Sequence, residues 1–276
     1  MENPLVSVIV TTKNEEKNIG KLLAGIKKQS YKNIEIIVVD HPATIDKTGR
    51  IAKRYTRNVF VKGPERSTQR NFAITKSKGR YILILDADMN LSKDVVKECV
   101  DIFTRQKKKE KIGGVIIPEK SYGAGIWAKA KALEREVNKG EEYFEAARFF
   151  PKNVFEEFGG YDTSLTGPED WDLPQRISRK YKIFRIRSFI RHSEGRPTLI
   201  GLAKRKYYYG LSVDKYLKKQ NLPIIGKTTV YFLRPAFYRN WRLIVRDPWT
   251  GFCMIVMLFF ENFGGGLGYL AGKFRK

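Results

Sequence analysis

The sequence predicts an α/β protein with a Rossmann-like, mostly parallel sheet, helices on both faces, and a helical C-terminal extension. Three observations carry this. Between Val6 and Ile117, apolar runs of strand length alternate with amphipathic helical stretches, the pattern of a doubly wound sheet with right-handed crossovers. One of those runs, Tyr81 to Leu85, ends in the carboxylates Asp86 and Asp88, and open α/β sheets bind ligands beyond the carboxyl ends of their strands. After Gly201 the composition turns basic, aromatic and then continuously apolar.

Taken in order, Val6 to Thr12 is a β-branched run and reads as a buried strand. Asn14-Glu15-Glu16 opens a helix with Ile19, Leu22, Leu23 and Ile26 at helical spacing. Ile34 to Val39 is a second strand that ends at Asp40. A short helix follows from about Thr44 through Ala52, then a strand at Val59 to Val61. Glu65 to Lys76 is helical, and Gly79 separates it from the strand that ends at Asp86. Leu91 to Phe103 reads as a helix, and Gly113 to Ile117 as a strand. Beyond Pro118 the alternation weakens. Helices are expected at Ile126 to Val137, from the stretch Gly167 to Leu173 to about Tyr181, and from Leu199 to Leu217. Ile183 to Ile190 reads as one strand.

The chain has 276 residues, and 53 Lys and Arg against 29 Asp and Glu give a net charge of +24. Such an excess implies an anionic partner: nucleic acid, an acidic membrane surface or a phosphorylated small molecule. The two cysteines, Cys99 and Cys253, are far apart in apolar settings, which excludes a disulfide framework and a cysteine metal site. Met1 leads into the first strand without a signal-peptide pattern, so a cytoplasmic chain is expected.

Residues i and i+2 of extended backbone point to one side, so Asp86 and Asp88 address a single small space. Two carboxylates there repel unless a cation lies between them, and all-oxygen ligation favours Mg or Mn. The alternative is a solvated turn with Asn90 or Ser92 capping the next helix.

Taken together, several ordered pieces resemble the family 2 glycosyltransferases of the GT-A fold. They are Val6 to Val10 with Asn14-Glu15, Asp40 with Asp46 and Thr48, Gln69-Arg70-Asn71, Asp86-Ala87-Asp88, Gly159-Gly160-Tyr161-Asp162, Glu169-Asp170, and His192. The resemblance implies metal-dependent, inverting transfer of a sugar from a nucleotide-sugar to an acceptor hydroxyl. It makes Asp88 the direct metal ligand, with Asp86 on the ribose or a metal-bound water and His192 near metal or phosphate. It places Asp40 on the base ring and Arg70 on the diphosphate, with Thr11, Asn14, Glu15 and Asn71 completing donor binding. Asp170 becomes the base, with Asp172 as its rival. Without the resemblance, Glu169, Asp170 and Asp172 simply complement a helix dipole, and His192 is a structural histidine. Thr11 and Lys13 stand where many relatives carry Pro and Tyr. The segment from Asp40 to Asp46 is one residue longer than is common, and Ala73 replaces a frequent glycine.

On this reading residues 1–197 form the catalytic domain and 198–276 the extension. From Gly201 onward there are 14 Lys and Arg against 3 Asp and Glu, interleaved with Tyr and Trp. Gly251 to Phe260 is apolar but only half of the roughly twenty residues that span a bilayer. An in-plane anchor on the cytoplasmic membrane surface is therefore expected, with a lipid-linked acceptor, a glycan or a polyprenyl phosphate. The alternative is a helix packed on the catalytic domain or in a dimer. Competing classes are a basic nucleic-acid-binding protein, a non-catalytic sugar-nucleotide scaffold and a nucleotidyltransferase. No nucleic-acid-binding motif is present, the acidic residues are intact, and Thr11 to Asn14 is not a glycine-rich phosphate loop.

Overall fold

The computed structural model describes residues 3–105, 111–141 and 144–274. The chain runs through β1 (Val6–Thr12), α1 (Ile19–Lys27), β2 (Ile34–Asp40), α2 (Thr48–Ala52), β3 (Val59–Val61) and α3 (Arg66–Lys76). It continues through β4 (Tyr81–Asp86), β5 (Met89–Leu91), α4 (Val95–Arg105), β6 (Ile112–Ile116), β7 (Glu119–Gly123) and α5 (Ile126–Val137). Next come β8 (Ala147–Pro151), α6 (Lys152–Glu157), α7 (Glu169–Ser178), β9 (Lys182–Arg185), β10 (Ile190–Gly195) and α8 (Leu199–Lys219). A 3-10 turn at Tyr231–Leu233 precedes α9 (Pro235–Arg239), α10 (Trp241–Arg246) and α11 (Pro248–Phe274).

The chain divides into two compact units. The first comprises Met1–Glu119, Ala146–Thr163 and Leu173–His192. Its sheet has the order β3-β2-β1-β4-β8-β6-β9. All seven residues of β1 are buried, as expected for a strand covered on both faces. Val8 and Val10 belong to one core layer with Leu22, Leu83 and Val96. Ile9 belongs to the opposite layer with Ile74, Ile84 and Leu173, the period-2 alternation of a strand. Strands β2 and β4 flank β1 in parallel, with Thr12 opposite Asp40 and Thr11 opposite Asp86. This register gathers Thr11, Asp40 and Asp86 at one edge of the sheet.

The sheet is mostly parallel, with one departure. Strand β8 lies between β4 and β6 and is antiparallel to both. All five of its residues are buried, so its sequence lacks the alternation that marks a half-exposed strand. The helix expected from Leu91 starts at Val95, because Met89–Leu91 pairs with β10. The single strand expected at Ile183 to Ile190 is two, β9 and β10, and α7 stops at Ser178.

The second unit comprises Lys120–Glu145, Ser164–Asp172 and Ser193–Lys276. Its core joins Ala130 and Val137 of α5, Leu202 of α8, Ile244 of α10 and Met254, Met257 and Leu258 of α11. The apolar tail is one continuous helix of 27 residues. Among the described residues it is the one helix long and apolar enough to cross a membrane. Gly264, Gly268 and Gly272 line its contact with α8. A Cβ on them would lie 2.3, 2.0 and 2.3 Å from the carbonyl oxygens of Ala203, Tyr207 and Leu211. Only glycine permits so close an approach of two helix backbones. These glycines are the packing seam of α11.

Candidate active site

The first loops of unit one are knitted around the Asp40 edge. Oδ1 of Asp40 accepts from Thr12 Oγ1 at 2.7 Å, Thr44 Oγ1 at 2.7 Å and the His41 amide at 3.0 Å. Asn14 adopts φ 56°, a left-handed conformation that asparagine tolerates, and its Oδ1 accepts from the Ile45 amide at 2.9 Å. The Glu15 amide donates to Thr48 Oγ1 at 2.7 Å. Asp46 accepts from the amides of Glu16 at 3.0 Å and Thr48 at 2.9 Å. Asn14, Glu15 and Asp46 thus join the loop after β1 to the loop after β2. Beside them lies a cleft of about 740 Å³ lined by Asp40, Asp46, Gly49 and Arg50. His41 is tied within its own loop, with Nε2 2.9 Å from the Pro64 carbonyl and Nδ1 accepting from the Ala43 amide at 3.0 Å.

Asp86 and Asp88 sit where β4 ends and the chain turns into β5. Arg70 is fully buried, donates to Asp86 Oδ1 at 2.8 Å and lies over the Tyr161 ring at 5.2 Å. Arg148 reaches within 3.6 Å of Asp86 Oδ2. Burial would raise the Asp86 pKa, but Arg70, Arg148 and Arg66 outweigh it and hold the carboxyl well below its usual range. Asp86 is therefore a permanent anion already neutralised by protein.

Asp88 is different. Its Oδ2 lies 3.3 Å from His192 Nε2, and its Oδ1 is buried without a hydrogen-bond partner. The β5–β10 pairing sets His192 opposite Met89 and so beside Asp88. His192 Nδ1 lies 3.0 Å from Glu119 Oε2, and Glu119 Oε1 accepts from Arg148 Nε at 2.6 Å. The corner is a chain of alternating charges: Arg70, Asp86, Arg148, Glu119, His192, Asp88. Burial alone would lower the His192 pKa, but the hydrogen bonds it donates to Asp88 and Glu119 raise it to about 10, so the ring is a cation without metal and would release its Nε2 proton to hold one. Glu15 joins the same electrostatic neighbourhood. Burial raises its pKa, Asn18 opposes that, and Asp88 and Asp86 add to it.

These residues fit a divalent cation. An orphaned buried carboxylate oxygen on Asp88 costs free energy unless a cation or donor meets it. A Glu119 carboxylate on Nδ1 also fixes His192 with its other nitrogen toward Asp88, the support that metal-ligating histidines receive. Among the described residues no three His, Cys, Asp or Glu side chains are already gathered for a metal. Mg and Mn commonly take few protein ligands and complete their shell with phosphate and water.

The Thr11 hydroxyl is buried without a partner. Asn71 donates to the Tyr161 carbonyl at 2.8 Å and accepts from its amide at 3.0 Å, so its amide group holds the Gly160–Tyr161 turn. In unit two, Glu169, Asp170 and Asp172 occupy the first turn of α7. Asp172 is fully buried and accepts from Lys219 Nζ at 3.0 Å and Gln220 Nε2 at 2.7 Å. Asp170 is partly exposed. The turn before it is fastened to α8: the Thr166 amide donates to Ser212 Oγ at 2.9 Å. At Gly167 φ is +100°, and a Cβ would lie 2.6 Å from the Tyr209 ring. Sequence reasoning missed Arg148 and Glu119. The one available signal was a lone cation in the apolar run Ala147 to Pro151.

Comparison with known proteins gives a consistent picture. The family model described as glycosyl transferase family 2 matches residues 7–159, more than half of the chain. An uncharacterised glycosyltransferase of Methanocaldococcus jannaschii is 39% identical over 97 residues, 32% of this chain and 33% of that protein. A beta-monoglucosyldiacylglycerol synthase of Nostoc sp. is 28% identical over 198 residues, 63% of this chain and 41% of that protein. The matches thus span less than half of these relatives' own lengths. Among solved structures, a mannosyltransferase of Pyrobaculum calidifontis in complex with GDP-Man and Mn2+ superposes with a TM-score of 0.59 at 19% identity. That superposition covers 93% of this chain and 74% of the other, and shows a shared fold.

Proposed function

The chain belongs to glycosyl transferase family 2, and from that premise we propose that it moves a sugar, with inversion, from a nucleotide-sugar to an acceptor hydroxyl. The observation that carries the reading is the orphaned, buried Oδ1 of Asp88 beside His192. Asp88 and His192 would hold Mg or Mn, which when bound stabilises the negative charge of the departing diphosphate. Asp86, neutralised by Arg70 and Arg148, keeps a fixed anion at the strand end that can accept from ribose hydroxyls or metal-bound water. Asp40, its Oδ1 saturated by three donors, keeps Oδ2 for an N–H of the base ring. Thr11, Asn14 and Glu15 shape that edge, and Asn71 positions the Tyr161 turn over Arg70. Asp170 takes the proton of the acceptor hydroxyl as the new bond forms. Asp172, spent on Lys219 and Gln220, is a structural anion in this reading.

In the same reading residues 1–197 carry donor chemistry and residues 198–276 a membrane-facing extension. Trp249, Phe252, Phe259 and Phe263 of α11 are each more than half exposed, in a segment rich in Lys and Arg. Such a surface suits peripheral attachment to the cytoplasmic face of an anionic membrane, and a lipid-linked acceptor follows. The Nostoc relative, named for a glucosyldiacylglycerol, supports a lipid-linked acceptor. A screen of nucleotide-sugars with Mn or Mg tests the core of the proposal. At least one should raise the melting temperature and be hydrolysed slowly in a metal-dependent way; a chain indifferent to all of them is not a transferase of this kind.

A further inference from the structure

The second unit encloses a cavity of about 560 Å³, within the usual range for small-molecule sites. Tyr209, Val213 and Leu217 of α8 and Phe259, Gly266 and Tyr269 of α11 supply much of a largely apolar wall. Phe259 lines the cavity and is also 67% exposed. The lining is therefore continuous with the exposed apolar face of α11.

Three charged side chains belong to the lining, Lys206, Arg234 and Glu261, and Lys131 and Glu134 stand behind it, paired to Glu261 and to each other. Lys131 meets Glu134 at 2.5 Å and Glu261 at 2.8 Å. Tyr231 donates to Glu261 at 3.3 Å and accepts from Lys206 at 3.0 Å. Arg234 is buried, with its guanidinium 3.5 Å from the Phe144 ring centre and 3.7 Å from that of Tyr231. Three cations, Lys131, Lys206 and Arg234, face two carboxylates, Glu134 and Glu261, so one positive charge is in excess. Lys206 carries it most accessibly. Of its three N–H donors one meets the Tyr231 hydroxyl, while Glu261 stands 3.7 Å away. An ammonium with donors to spare beside an apolar wall calls for one anionic group on a hydrocarbon chain.

We propose that this cavity binds a long-chain phosphate monoester, with its hydrocarbon between α8 and α11 and its phosphate on Lys206. Pro168 and Trp171, which also line the cavity, flank Glu169 and Asp170 in the chain. The bound lipid is therefore assigned as the acceptor's anchor, and that assignment alone rests on Asp170 being the base.

The test is direct binding to the purified full chain, with dodecyl phosphate below its micelle concentration, dodecanol and inorganic phosphate as probes. Dodecyl phosphate should bind at least about tenfold more tightly than dodecanol, the worth of a charge-assisted hydrogen bond, and inorganic phosphate should not compete. A Cβ on Gly266 meets nothing within 4 Å, so Gly266→Phe should fill the cavity, lower dodecyl phosphate affinity about tenfold or more and leave the melting temperature unchanged. Lys206→Gln should erase the preference for dodecyl phosphate over dodecanol. Equal binding by Gly266→Phe and the original chain, equal binding of dodecanol, or full competition by inorganic phosphate would each overturn the assignment. Nucleotide-sugar stabilisation is measured alongside. Lipid binding without it sinks the transferase reading and leaves the cavity assignment standing; the reverse result sinks only the cavity.

Discussion

His192 Nε2 stands 3.3 Å from Oδ2 of Asp88, with its other ring nitrogen held by Glu119. The pair is one end of a charge chain in which both oxygens of Asp86 meet arginines, while Asp88 meets His192 through Oδ2 and its buried Oδ1 has no hydrogen-bond partner. Two aspartates of identical chemistry, two residues apart, are given different tasks by what the fold brings beside them.

That difference predicts a separation of phenotypes. Asp88→Ala should lose metal-dependent stabilisation by the nucleotide-sugar and most turnover, roughly 10²-fold or more for a group stabilising transition-state charge. Glu119→Gln should retain metal dependence but need more metal, by about 10- to 100-fold, as for other outer-shell partners. Metal titration followed by melting temperature reads both, and an Asp88→Ala protein with the original metal response would exclude Asp88 as a ligand.

The acidic first turn of α7 offers a second contrast. Asp170→Asn should bind donor normally and lose about 10²- to 10⁴-fold in transfer, the usual contribution of a general base. Asp172→Asn removes the anion that pairs with Lys219 in a buried site. It should lower stability by about 1–3 kcal/mol, the worth of a charge-assisted hydrogen bond, because the Lys219 left behind still reaches solvent. Turnover of the folded fraction and thermal melts separate the two. Full transfer by Asp170→Asn would move the base elsewhere.

How much of this was legible follows from distance along the chain. Strands β1, β2 and β4 and the Asp86–Asp88 pair announce themselves locally, because a strand buried on both faces is an apolar run and its end is marked by the first carboxylate. The partners that differentiate those carboxylates do not. Arg148 joins Asp86 through an antiparallel strand inserted from later in the chain, and Glu119 meets His192 across 73 residues. Glu261 looks like a flaw in an apolar helix, since its partner Lys131 lies 130 residues away. Asn71 carried a signal that pointed to ligand, while its amide group closes a turn.

The buried cluster in unit two gives a pH prediction. Burial would raise the pKa of Glu134, but Lys131, Lys206 and Arg234 outweigh it and lower it to about 2 from the model-compound value of 4.5. A carboxyl with a depressed folded pKa stabilises the native state above its unfolded pKa and loses that contribution as pH falls through the folded one. The stabilisation should be complete above about pH 4.5 and fade toward about pH 2. Glu134→Gln should therefore lower the melting temperature at pH 7 and converge with the original chain near pH 2. A deficit that is constant from pH 7 to pH 2 would show that lost packing, not charge, is responsible.

The last prediction concerns the outer face of α11. Gly264, Gly268 and Gly272 commit one side of the helix to α8, and Glu261 on the buried side is tied to Lys131. The helix is long enough to cross a bilayer, yet its buried acid is satisfied only while it stays docked on α5 and α8. Lying in the interface keeps those contacts and still buries Trp249, Phe252 and Phe263. Each large apolar side chain moved from water is worth about 1.5–3 kcal/mol. Trp249→Ser, Phe252→Ser and Phe263→Ser together should then abolish flotation with anionic liposomes. Because these side chains are largely exposed, the melting temperature should change little. Raising salt should weaken binding of the original chain, since basic residues beside the apolar face attract acidic lipid over a screening length of about 8–10 Å. If the triple variant floats as well as its parent, α11 does not face lipid, and its apolar side awaits a protein surface instead.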